Sequence, residues 1–378
     1  NIGWIGINDH RNGGWSNLNR VMYFHNAGSG SMTLEGTGDI LAYLEPIYEP
    51  HGGFSFINDG DIKLIGNSQY GVMVGTTSDY EGSEIIFTKP LIISGNSTTG
   101  IVFKGWVDLD GGTQSTALNK VYPMHGSTEA SVANIDITSG SGNIGVYFDS
   151  GSARTFQLNN YNLNIAGSGN TGFFVNNGTV NLGTGPKGNK INITGGDLSG
   201  NDNIGIYTVK ALTTAAEIAI NGDKAIGIYA LGTGTGDVTN TGKVSAVGTS
   251  VKAMIADNSK ITSSGQIDVT GTSLSATNGS AALLAVNKGT ITHTGGGTIN
   301  VSNSGSAGAV GQGGTVDITG GTISSADGAL NAYASGGGTV KLNGTKIDTG
   351  QKSLAFFADG GQINFTGATT ANIAGGTD

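Results

Sequence analysis

Apolar residues along this chain fall in short runs, and the runs alternate with polar positions at a period of two. Asp237-Val238-Thr239-Asn240 is one such run, and Lys243-Val244-Ser245-Ala246-Val247 is the next, with Thr241-Gly242 between them. The same phrase returns as Ser259–Thr262 with Gln266–Val269, as Gly314–Ile318 with Thr322–Ser324, and early on as Phe56–Gly66. Three to five residues rich in Val, Ile and Thr, bounded by Gly or Asn, predict short half-buried strands joined by tight turns.

A third, more apolar segment recurs between these pairs. Its clearest copies are Asn143–Tyr147, Asn203–Tyr207 and Ala225–Ala230, with weaker ones at Tyr70–Val74, Thr99–Phe103 and Thr171–Val175. Later copies replace the glycine: Lys252–Ala256, Ala281–Ala285, Ala307–Val310, Asn331–Ala334 and Leu354–Ala358. Measured at the glycine position, the steps from Gly145 onward are 27, 33, 22, 26, 29, 26, 23 and 24 residues. A period in this range belongs to a solenoid, since a propeller blade needs about 40–50 residues. The expectation is an all-β, right-handed parallel β-helix with three short strands per rung of about 26 residues, about ten or eleven rungs in all. Equivalent strands then stack about 4.8 Å apart. The residue after each repeat glycine (Val146, Phe173, Ile206, Ile228, Met254, Leu283) is expected to form one inward row, with the tyrosine beside it facing out.

Two regions break the phrasing. Residues 1–30 fit no rung and supply Trp4, Ile5, Ile7, Trp15 and Leu18, so they are expected to form an N-terminal cap over the open end of a β-helix occupying 31–378. The step from Gly100 to Gly145 is 45 residues, which predicts an insertion at 104–133.

Composition narrows the function classes. Glycine makes up 68 of 378 residues without a collagen period, and the net charge is −9. Phosphate binding needs clustered Lys and Arg, so nucleic acid is not an expected partner. Residues 1–130 hold 13 acidic and 6 basic residues, which places −7 of the −9 in the first third. Cysteine is absent, which suits bacterial export, and no run of apolar residues is long enough to span a bilayer as a helix. The chain starts without an initiator methionine and stops within the repeat pattern at Gly375-Gly376-Thr377-Asp378, so it reads as an excerpt of a longer protein.

Catalytic constellations are not evident. Asp59-Gly60-Asp61 and Asp108-Leu109-Asp110-Gly111-Gly112 resemble fragments of oxygen-ligand cation sites without the remaining ligands, and the five histidines lack metal spacing. No metal, no cofactor and no enzyme activity are therefore expected. The irregular segments carry the aromatic and acidic residues that the repeats lack. Trp106, Asp108, Asp110, Tyr122 and His125 in the insertion, with Tyr48 and His51 in the stretch 45–53, are the candidate ligand-binding residues. Insertions in solenoids project on one face, where aromatic anchors and carboxylates suit sugars or protein partners. Stabilisation of the end of the stack is the alternative role for the same residues.

The phrases Asn-Ile-Gly-Ile-Tyr (203–207) and Ala-Ile-Gly-Ile-Tyr-Ala (225–230), alternating with Thr-Asn-Thr-Gly-Lys-Val (239–244) and Ser-Ser-Gly-Gln-Ile (263–267), resemble passenger domains of bacterial type V autotransporters. Among these the resemblance is to the large fusobacterial outer-membrane autotransporter adhesins, and residues 17–26 also resemble the N-terminal region of that group. The β-helix resemblance covers about 54–378. It implies display at the bacterial surface through a C-terminal barrel outside this chain, and attachment to host cells or other bacteria through a surface glycan or protein receptor. A monomer is expected. A polysaccharide-acting β-helix enzyme or a passive stalk carrying a distal head are the alternatives, and no binding motif of the family maps onto single residues here.

Overall fold

The computed structural model describes residues 21–44, 53–75, 84–104, 132–149, 155–158, 160–183, 189–196, 200–232, 237–271 and 279–374. Among these residues the protein is all β-strand, and every named strand pairs with its neighbours in parallel. A thirteen-stranded sheet runs from Ser31–Leu34 to Thr370–Ile373, and a twelve-stranded sheet from Ile40–Leu44 to Leu354–Asp359. A nine-stranded sheet runs from Thr155–Leu158 to Gln362–Thr366, and a three-stranded sheet joins Val21–Asn26, Gly53–Asn58 and Glu84–Phe87. Neighbours within the long sheets are mostly three strands apart in chain order, which is a solenoid wound at about the expected spacing.

All eleven repeat segments lie on the twelve-stranded sheet, one per strand, and Ile40–Leu44 supplies the twelfth. Their register is the one the sequence spacing implies. Val146 pairs with Phe173, Phe173 with Ile206, Ile206 with Ile228, Ile228 with Met254 and Met254 with Leu283. All six are fully buried and belong to one continuous core. Burying a side chain of this size stabilises the fold by roughly 1.5–3 kcal/mol, so the row is a main source of cohesion between rungs.

The glycine before Val146, Phe173, Ile206 and Ile228 sits where space is tight, and alanine takes the position before Met254 and Leu283. A Cβ on Gly227 would lie 2.6 Å from the carbonyl oxygen of Ala253, and one on Gly172 would lie 2.8 Å from Ile165 Cδ1. Left-handed backbone occurs instead at the corners, as at Gly140 and Gly167 (φ 81° and 80°) and at Asn258 and Asn287 (φ 50° and 48°). Glycine and asparagine adopt that region at the least steric cost.

The asparagine of the Asn-Ile-Gly phrase has its own task. Asn143, Asn170 and Asn203 are fully buried. The Oδ1 of each accepts a backbone N–H from the preceding rung: Thr98 to Asn143 at 2.9 Å, Asn143 to Asn170 at 2.8 Å and Asn170 to Asn203 at 2.9 Å. Their Nδ2 groups donate to the carbonyls of Gly95, Gly140 and Gly167. This ladder satisfies the backbone at a corner where the sheets turn away from one another.

Residues 1–20 of the expected cap lie outside the described residues. The remainder of that segment opens the solenoid: Val21–Asn26 pairs residue for residue with Gly53–Asn58, and the rings of Phe24 and Phe56 stack with centroids 4.9 Å apart. Of the expected insertion, 105–131 lie outside the described residues. The stack is continuous across it, because Leu91 pairs with Ile135 and Thr99 with Ile144.

Candidate binding face

The sequence-predicted site residues Tyr48, His51, Trp106, Asp108, Asp110, Tyr122 and His125 all lie outside the described residues. Of the two acid pairs, only Asp59 and Asp61 are described. Asp59 accepts from Thr88 Oγ1 at 2.7 Å and contacts His25 Nε2 at 2.7 Å, while Asp61 pairs with Lys89 Nζ at 3.3 Å. The hydrogen bonds from Thr88 and His25 hold the Asp59 carboxyl below its ordinary pKa. Among the described residues no three His, Cys, Asp or Glu are grouped to hold a metal ion.

The three long sheets present different outer faces. On the thirteen-stranded sheet most outer positions are polar, with Ile92 and Ala219 among the exceptions, and several bond along the stack: Asn162 Nδ2 to Asn134 Oδ1, Asn164 Nδ2 to Asp136 Oδ1, Asn192 Nδ2 to Asn164 Oδ1, and Asn300 Nδ2 to Asp268 Oδ1. On the nine-stranded sheet Thr213, Thr239, Thr262 and Thr292 stand in register. The twelve-stranded sheet departs from this pattern.

There, the residue following the inward row is apolar in every strand. Tyr147, Phe174, Tyr207 and Tyr229 occupy it in four successive rungs. Their ring centroids are 5.2, 4.8 and 5.4 Å apart and their planes cross at 79°, 74° and 69°, a ladder of edge-to-face contacts. The row continues through Val102 and Met73 to Tyr43 on one side, and through Ile255, Leu284, Val310 and Tyr333 to Phe357 on the other. Within this row Met73, Val102, Ile255 and Val310 are buried, Tyr147, Phe174, Tyr207, Tyr229, Leu284 and Tyr333 are half-buried, and the two ends, Tyr43 and Phe357, are 41% and 49% exposed. A parallel row three residues earlier holds Ile144, Thr171, Ile204 and Ile226, the last of them buried. At twelve strands and about 4.8 Å per strand the stripe runs for roughly 50 Å. Its accessible part is longest in the middle, where Tyr147, Phe174, Tyr207 and Tyr229 are partly exposed in four successive rungs.

Polar groups border the middle of the stripe on both margins. On one, Tyr229 Oη donates to Asp257 Oδ2 at 3.0 Å and Asn287 Nδ2 donates to Asp257 Oδ1 at 2.9 Å. On the strands of Phe174 and Tyr147, Asn176 Nδ2 donates to Asp149 Oδ1 at 3.2 Å. On the other, Lys252 Nζ donates to the carbonyl of Ser250 at 2.9 Å, and Lys224 Nζ lies 3.9 Å from Asp202. Burial pushes the Tyr229 hydroxyl up to about 12, with Asp257 adding to it. Burial first, and then Asp257, also raises Tyr207, while burial and the neighbouring Lys224 lower Lys252 against the pull of Asp202. The tyrosines of the ladder are therefore neutral hydroxyls at physiological pH, able to stack and to donate.

The repeats thus carry an outward aromatic row of their own. The signal was present in the sequence. Strand alternation points this position outward, yet all twelve copies are apolar. No protein-family model, no curated protein and no solved structure matches the chain.

Proposed function

We propose that this chain is an adhesive segment of an autotransporter passenger domain, displayed at the bacterial surface, that attaches the cell to host cells or other bacteria through a surface glycan or protein receptor. The observation that carries this reading is the outward aromatic and aliphatic stripe on one of three faces, bordered by Asp202, Lys224, Lys252 and Asp257. A passive stalk has no need of an apolar outer row, and polar side chains on the other two faces serve solubility without one. The parallel solenoid agrees with a passenger domain, and the absence of cysteine agrees with export across two membranes. The segment acts as a monomer whose length sets many weak contacts in one line.

The purified chain, added in excess, should block attachment of bacteria bearing the parent protein to their target cells. Undiminished attachment in the presence of the folded chain would remove the adhesive role and favour a stalk.

A further inference from the structure

We infer that the middle of the outer stripe, around Phe174, Tyr207 and Tyr229, is a platform for a linear neutral glycan. This inference rests on the attachment reading and names the ligand class for it. Three features of the face support it together.

The first is the ring ladder. Sugar rings present C–H faces that pack on aromatic rings, and aromatic side chains combine a large apolar surface with little rotamer entropy. Successive planes here cross at 74° and 69°, so each ring meets its neighbour edge to face along the ladder. Two strand spacings are about 9.6 Å, a distance on the scale of two linked pyranose rings. A straight ladder of this repeat suits a straight chain of sugars laid along the solenoid axis.

The second is the chemistry of the margins. Asp257 and Asn287 on one side, and Asp202, Lys224 and Lys252 on the other, offer both acceptors and donors within reach of the tyrosines; Asp202 acts electrostatically on both Lys252 and Tyr229. Hydroxyl groups can donate to carboxylates and accept from ammonium groups in the same ligand.

The third is the charge balance. Asp149, Asp202 and Asp257 against Lys224 and Lys252 leave −1, so the platform has no basic excess for an acidic polymer to neutralise. A protein surface, or a second copy of this chain, would have to strip water from these charged groups, which is costly even where, as for Lys224 and Asp202, opposite charges stand near one another. A polyhydroxylated chain replaces water with hydroxyls and leaves the outer edges wet.

The test uses the whole chain and substitutions that the protein itself uses at the same register position. Leu284 and Ile255 stand in the tyrosine row, so Tyr207→Leu and Tyr229→Ile keep the apolar contact and remove the ring faces. Binding is measured by calorimetry and on an array of neutral linear β-linked glucose, galactose and N-acetylglucosamine oligomers of graded length, with sialylated and sulfated oligomers alongside. The expected result is retention of neutral oligomers that strengthens with length, and at least a tenfold loss in the double variant. Thr262→Ala on the threonine face should bind as the parent does. Failure to retain any neutral oligomer, or equal retention by the double variant, overturns the inference. Cell attachment blocked by the chain without glycan retention overturns the glycan inference and leaves the attachment reading in place, with a protein receptor. Loss of both overturns both.

Discussion

The hydroxyl of Tyr229 donates a 3.0 Å hydrogen bond to the carboxylate of Asp257, which lies one rung further along the outer face of the twelve-stranded sheet. The bond ties the aromatic ladder to its polar margin. With burial as the larger cause, it holds the tyrosine neutral up to about pH 12.

Removing that carboxylate has a signed consequence. A tyrosine whose folded pKa is raised contributes stability that is complete below its unfolded pKa of about 10 and is lost as pH rises toward 12. Asp257→Asn should lower the Tyr229 midpoint. In alkaline ultraviolet titration, read as the difference between each protein and its Tyr229→Phe partner, the midpoint should move below about 12. An unchanged midpoint would assign the whole shift to burial.

The inward row should tolerate no charge. Ile206 is fully buried between Phe173 and Ile228, so Ile206→Asp should cost several kcal/mol or prevent folding. Tyr207→Leu, one residue on, should stay within about 1 kcal/mol of the parent in denaturant melts. Equal losses at the two positions would mean that the strand presents the wrong face to the core.

The asparagine ladder makes a different demand. Asn170→Ala leaves the buried N–H of Asn143 without its acceptor and the carbonyl of Gly140 without the Asn170 amide. The expected destabilisation is roughly 1–3 kcal/mol, well above that of an exposed asparagine on the same solenoid such as Asn67. Comparable melts for Asn170→Ala and Asn67→Ala would show that the ladder contributes little.

His293 gives the fold an acid-sensitive point. It lies in the inner row between Ser263 and Ile318, buried, with Nδ1 lacking a partner among the described residues, and burial lowers its pKa. A histidine with a depressed folded pKa contributes stability that is complete above its unfolded pKa of about 6.5 and lost as pH falls through the folded value. Thermal melts should therefore weaken below about pH 6.5, and His293→Leu should flatten that slope. An identical slope in the variant would place the acid sensitivity elsewhere.

Much of the fold was legible in the sequence because a solenoid writes its architecture as a period. The Gly-Ile-Tyr spacing located eleven of twelve strands of one sheet and assigned Val146 through Leu283 to a single inward row. Ile40–Leu44 was harder to see, since it carries Leu41 where the other early copies carry glycine. The binding face was less legible. Composition drew attention to Trp106 and Tyr122 in irregular segments, while the tyrosines of the repeat read as ordinary rung surface. Only the register shows that their position stays apolar through all twelve rungs, where the outward positions on the other sheets are mostly polar. The role of Asn170 was hidden for a similar reason, because a ladder between rungs needs the register before a partner can be named.

The central claim is that this outer stripe is the attachment surface, and it is tested most directly by attachment inhibition with a matched pair of proteins. The parent chain and the Tyr207→Leu/Tyr229→Ile variant, shown to melt alike, are titrated against bacteria binding to target cells. The account predicts that the parent blocks attachment and that the variant needs at least tenfold more protein to do so. Equal inhibition by the two proteins would contradict it and move the site away from this face.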